Sequence, residues 1–151
     1  MDYLYQLQSL LPLAIRWAED HSAQVQADGT YLTAEQIEIA KQVGVTSPEK
    51  VKILVTDAIP FPQHEELSTA AKQIGFLSEE MNGLTLGHSI YLRKGMINNQ
   101  ILSHELRHVY QYEVFGSIPG FLVEFLKQIV LVGYENSLLV QDAKQHEVKI
   151  E

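Results

Sequence analysis

The stretch NNQILSHELRHVYQYEVFG, residues 98–116, constrains the fold more than any other part of the chain. Asn98 or Asn99 can cap a helix at its start and Gly116 can stop it, with no proline or glycine between. On that helix His104 and His108 lie one turn apart and share a face. Glu105 falls about 100° round from His104, beside that face rather than on it. Local geometry alone therefore fixes two imidazoles and a carboxylate relative to one another.

The chain around this helix reads as alternating signals. Residues 3–26 carry Leu4, Leu7, Leu11, Ile15 and Ala18 at helical spacing. The apolar run Leu7–Ile15 imitates a signal-peptide core, but it lacks a basic flank and a small-residue cleavage site. It reads as the buried face of a first helix. Asp28-Gly29 is a turn signal. Thr33 and Gln36 form a capping box for the next helix, and Gly44 ends it. Ser47-Pro48-Glu49 is a break. VKILVTDAI, residues 51–59, has the β-branched content of a strand, ended by Pro60 and Pro62. Residues 64–75 read as a short helix closed by Gly75. GLTLGHSIYLRKG, residues 83–95, reads as one extended segment, with Leu84, Leu86, His88, Ile90 and Leu92 on one face. After the helix of 98–116, Gly116 and Pro119 precede a helix over 119–132. Gly133 precedes a last one over roughly 134–148.

This order of helices, strands, then three helices is an α+β pattern. The 151 residues suit one domain, 1–151. It divides into N-terminal helices (1–45), a helix with strands (46–95), and the motif helix with two more (96–151). The apolar run Ile118–Val132 includes Glu124 and Lys127 and is too short to span a bilayer. It reads as a helix packed in the core. There is no internal repeat or low-complexity tract.

Charge and cysteine content narrow the function. A net charge of −8 argues against a sequence-independent grip on nucleic acid or on an anionic membrane. With no cysteine, disulfides, thiolate zinc sites and thiol catalysis are excluded, and a cytoplasmic setting is expected. No oligomeric state follows from the sequence.

The motif itself carries chemistry. Two imidazoles one turn apart can reach one Zn²⁺ at ~2.0–2.1 Å. A glutamate beside them can take a proton from a water that the metal polarises and later pass it to a leaving amine. Composition alone yields such a motif in a chain of this length at a frequency on the order of a per cent. Here it sits on a predicted helix directly after a predicted strand. His104 and His108 are thus the candidate metal ligands and Glu105 the candidate catalytic base. The predicted strand also offers an edge along which a peptide backbone can pair.

HELRHVYQYEVFGSIPGFLVEFL, followed by GYENSLLVQDA, resembles a group of small bacterial zincin-like proteins and, more broadly, minimal gluzincins. The similarity runs from about Leu32 and is densest over Gly83–Ala143. It implies a zincin-like fold: a short, mostly antiparallel sheet with an edge strand beside the active helix, and a helix-rich C-terminal part. It also implies a zinc ion and hydrolysis of a peptide or protein substrate. In that group the final helix begins in the style of G-Y-x-N-x-P-L-E-x-E-A. Here Val140 stands at the first acidic position, and valine cannot bind zinc; Asp142 retains the second.

The third protein ligand therefore stays open between Asp142 and Glu135. Seven residues apart on one helix, these would share a face about 20° apart, with Val140 about 140–160° away. His146 shares that face, and Glu124 is a more distant option. A site with only two protein ligands, completed by water, is the remaining possibility. Tyr134, Tyr110 and Tyr112 lie near the motif or the final helix, and a tyrosine can donate to a developing oxyanion. Tyr134 is the best placed of them for such a catalytic role. His88 is a candidate to face the cleft, and Arg107 is expected to point away from the metal. The alternative to an enzyme is a zincin scaffold with a decayed metal site that serves as a binding or regulatory domain.

Overall fold

A computed structural model of the chain describes residues 3–78 and 81–149. The side chains of residues 3 and 4 fall outside that description, and with them the expected core position Leu4. Helix α1 (Tyr3–Asp28) runs into a two-residue strand β1 (Thr30–Tyr31) and then α2 (Ala34–Gln42). The expected capping box is present: Gln36 N–H donates to Thr33 Oγ1 and Thr33 N–H donates to Gln36 Oε1. Pro48–Lys50 is a 3-10 turn that leads into β2 (Lys52–Thr56) and α3 (Glu65–Ile74), which ends on left-handed Gly75. Strands β3 (Gly83–Leu86) and β4 (Ser89–Arg93) follow. Helices α4 (Asn99–Phe115), α5 (Ile118–Val132) and α6 (Leu138–Gln145) complete the order. The chain is α+β.

The four strands form one mixed sheet in the order β1-β2-β4-β3. Strands β1 and β2 pair antiparallel, β2 and β4 parallel, and β3 and β4 antiparallel. The extended segment expected over 83–95 is thus a hairpin. Gly87 takes a φ of 69°, a conformation that glycine adopts without strain and that a two-residue hairpin loop needs at its first position. The turn changes which residues share a face. Leu84 and Leu86 join Tyr91 on one side, whereas Ile90 and Leu92 lie on the other. His88 belongs to the turn, not to a strand face.

Each face of the sheet buries its own apolar cluster. On one, Leu84, Leu86 and Tyr91 pack with α1 (Ala18, Val25) and α5 (Phe121, Leu122, Leu126). On the other, Ile53, Ile90 and Leu92 pack with α2 and with Leu102, Leu106 and Val109 of α4. Those three α4 positions recur at helical spacing, and Leu106 and Val109 are fully buried. Burial of each is worth roughly 1.5–3 kcal/mol, so the sheet sets the rotation of α4 about its axis. That rotation aims Glu105 at β3. Helix α5 packs into the core as expected, through Phe121, Phe125 and Ile129. No single described helix is long and apolar enough to cross a membrane.

Candidate metal and hydrolytic site

Asn98, the cap that starts α4, accepts from Ile101 N–H at 2.8 Å, and left-handed Gly116 ends the helix. Between them the rings of His104 and His108 lie with centres 4.9 Å apart. Each ring is held through Nδ1. His108 Nδ1 is 2.7 Å from Gln111 Oε1, and the Gln111 amide nitrogen donates to Leu139 O and to Asp142 Oδ2, both at 2.9 Å. A carbonyl and a carboxylate only accept, so the amide oxygen faces the ring. Nδ1 of His108 therefore carries the proton, and Nε2 keeps its lone pair. Burial, with the neighbouring His104 charge, lowers the His108 pKa to about 3 against weaker opposing effects of Gln111 and Asp142. The ring is neutral near pH 7.

His104 follows the same rule with a different partner. Its Nδ1 lies 2.8 Å from Glu147 Oε2, and Gln100 donates to the other oxygen of that carboxylate at 2.9 Å. The chain beyond α6 comes back along α4, where Val148 N–H donates to Ser103 Oγ at 2.8 Å. Facing a carboxylate, His104 Nδ1 carries a proton, so a neutral His104 ring keeps its lone pair on Nε2.

Glu105 is 7% exposed and meets strand β3. Thr85 Oγ1 lies 2.9 Å from Glu105 Oε1 and 3.1 Å from Glu105 O, within reach of both acceptors. A Cβ on Gly83 would stand 2.9 Å from Glu105 Cγ and 3.0 Å from Oε2, so glycine is what lets the carboxylate lie against the strand. Burial pushes the Glu105 carboxyl above its usual range; the His104 charge and the Thr85 hydrogen bond oppose this, while Glu147 adds to it.

Strand β3 is one edge of the sheet, with β1 at the other. Arg93 N–H donates to Asn82 O, which sets the alternation of bonded pairs with β4. By that alternation Gly83 and Thr85 turn their backbone N–H and C=O groups away from β4, on the side strand addition would use. A cleft of ≈ 390 Å³ opens at Gly83, with Asn82, Asn98, Tyr134 and Glu147 around His104 and Glu105. Thr85 and His108 instead line a nearly closed space against Phe121 and Phe125, and all of β3 is buried. The apolar cavity between α1, α3 and α5 has no titratable group in its wall.

The other sequence candidates lie elsewhere. Asp142 forms a two-point ion pair with Arg107, Nε–Oδ2 2.8 Å and Nη2–Oδ1 3.2 Å, and touches the site only through Gln111. Burial alone would raise its carboxyl, but hydrogen bonds from Arg107 and Gln111 and the charges of Arg107 and His146 hold it below the usual range. Arg107 thus points to a carboxylate, as expected, and its guanidinium also lies over the Tyr110 ring. The shared helix face expected for Glu135 and Asp142 does not exist, because α6 starts at Leu138. Glu135 sits in the preceding turn, exposed, and pairs with Lys144. His146 ends α6 with its Nδ1 on Asp142 O. Val140 is fully buried, and Glu124 accepts from Gln128 on α5. His88 does not face the cleft: its Nε2 lies 3.0 Å from Glu113, which also accepts from Thr46 and Ser47 N–H.

Tyr134 lines the cleft and its hydroxyl has no hydrogen-bond partner among the described residues. Burial first, then the charges of Glu105 and Glu135, push its pKa up, so it remains a donor near neutrality. Tyr112 is buried and stacks on Phe121 at 3.8 Å. Sequence reasoning missed Gln111, Thr85, Gly83 and Glu147. Of these only Gln111 carried a local signal, because position i+3 from His108 is within side-chain reach on a helix.

The residues fit a metal in part. A tetrahedral Zn²⁺ with Zn–N ~2.0–2.1 Å holds two imidazole centres about 5 Å apart, and the rings here are 4.9 Å apart. Among the described residues no third histidine, aspartate or glutamate joins them in a metal-holding group. No protein-family model matches the chain, and no curated protein or solved structure shows significant similarity to it.

Proposed function

We propose that the chain is a zinc-dependent hydrolase of zincin type, acting on a peptide or protein segment laid along β3. One observation carries the reading. Two imidazoles on one helix each have Nδ1 tied to an acceptor and Nε2 free, beside a buried glutamate that faces an edge strand. His104, at the cleft, and His108, behind it, would hold Zn²⁺. When bound, the ion supplies Lewis acidity to the scissile carbonyl.

The chain's own residues do the rest. Glu105 takes the proton from the attacking water and returns it to the departing amine. Its raised carboxyl pKa brings it nearer to neutrality, which suits a group that must both accept and give a proton. The outward backbone groups of Gly83, which borders the cleft, pair with an extended substrate. The Tyr134 hydroxyl donates to the oxygen that gains charge. The acidic charge disfavours nucleic acid and anionic membrane as partners, and the lack of cysteine suits a cytoplasmic setting for the chain itself.

Protein purified without chelator is expected to carry about one zinc per chain. Glu105→Gln should keep that zinc and lose hydrolysis of a peptide library by about 10²–10⁴-fold. Undiminished hydrolysis would move the activity to another site. The second reading, a non-catalytic scaffold that binds protein, is favoured by the missing third ligand. It predicts protein that takes up little or no zinc and cleaves no member of the library.

A further inference from the structure

The carboxylates of the C-terminal segment reach the two histidines from behind. Glu147 meets His104 at Nδ1, and Asp142 meets the Gln111 amide that in turn meets His108 at Nδ1. We propose that Gln111 and Glu147 are positioning residues that fix the tautomers of His108 and His104. On this proposal residues 139–147 orient the metal-binding face and supply no ligand to it. It deepens the zinc reading above and rests on that reading for its purpose, though not for its test.

The chemistry is one of proton placement. A neutral imidazole carries one N–H, and a free ring favours it on Nε2. A proton there removes the lone pair that a metal needs. An acceptor fixed at Nδ1 draws the proton to that nitrogen and frees Nε2. Glutamine alone could not do this reliably, because its amide can turn and present N–H to the ring. Two acceptors prevent the turn: Leu139 O and Asp142 Oδ2 both take the amide nitrogen, so Oε1 has to face His108. Arg107 then holds Asp142 in place with two bonds and anchors itself on Val43 O at 2.7 Å. The chain Arg107–Asp142–Gln111–His108 runs from α4 through Asp142 of α6 and back to α4. For His104 one carboxylate suffices, steadied by Gln100.

The test is long-range ¹H–¹⁵N NMR of the histidine rings in zinc-free full-length protein. In the wild type both His104 and His108 should carry the proton on Nδ1. Gln111→Met should bring an Nε2–H population to His108 alone, and Glu147→Ala to His104 alone. A general loosening of the fold would move both rings in either variant, which would overturn the assignment. So would wild-type rings protonated on Nε2, a reading that needs no variant to fold. With zinc added, each variant should bind about 10–100-fold more weakly than wild type. A wild type with both Nδ1–H rings that takes up no zinc supports the positioning role and refutes the zinc reading.

Discussion

Replacing Gly83 by alanine tests how tightly the candidate base is seated. The added Cβ would stand 2.9 Å from Glu105 Cγ and 3.0 Å from both Cδ and Oε2. Ordinary carbon contacts lie at ~3.5–4.0 Å, so one group must retreat by about 0.5–1 Å. Glu105 has little room, since it is buried and tied to Thr85 at 2.9 Å. Overpacking of this kind costs about 1–3 kcal/mol, and a displacement near 1 Å at a reacting group costs about 10²-fold in rate. Urea unfolding of Gly83→Ala should therefore show that loss of stability, and peptide hydrolysis should fall by about that factor at unchanged zinc content. In a Glu105→Ala background the clash is gone, and the same substitution should cost almost nothing in stability. An equal cost in both backgrounds would refute the proposed contact.

Other expectations follow from the same neighbours. Thr85→Val removes a donor from a buried carboxylate; it should cost about 1–3 kcal/mol and move the acid limb of the activity–pH profile to higher pH, since the Thr85 bond opposes the rise in the Glu105 pKa. The pKa of His108 is about 3 in the folded chain, against 6.5 for the ordinary group. Between these values the unfolded chain binds the extra proton, so stability falls as pH drops from 6.5 towards 3, by at most ~1.4 kcal/mol per unit. Glu105, with a raised pKa, acts in the opposite sense above its ordinary value of 4.5, so the His108 slope should be clearest below that pH. Urea titrations of zinc-free protein at several pH values should show a shallower acid slope in His108→Asn. Arg107→Ala should free Asp142 and cost about 3–5 kcal/mol if the pair behaves as a buried one, less in proportion to the 32% exposure of Asp142.

Much of the fold was legible where local chemistry decided it. The capping box at Thr33, the stops at Gly75 and Gly116, and the β2 strand all lie where their residues placed them. The hairpin was misread because alternation of apolar residues across 84–92 continues through Leu86-Gly87-His88-Ser89 without a break. Only the left-handed glycine separates one long strand from two short ones. At the site, the helix repeat sufficed for His104, Glu105 and His108. The partner of His108, Gln111, lies three residues on along α4. Those of Glu105 and His104 come from β3 and from the segment after α6, contacts of 20 and 43 residues in sequence separation that no local pattern encodes. Glu147 is the plainest case: it lies past the last helix, and only the return of the chain along α4 brings it to His104.

Zinc uptake by purified protein, measured by elemental analysis in the wild type and in His104→Ala and His108→Ala, tests the two-imidazole face most directly. The wild type should take up about one equivalent, and each variant should lose it. Wild-type protein that stays metal-free after exposure to zinc, or variants that keep a full equivalent, would contradict the account.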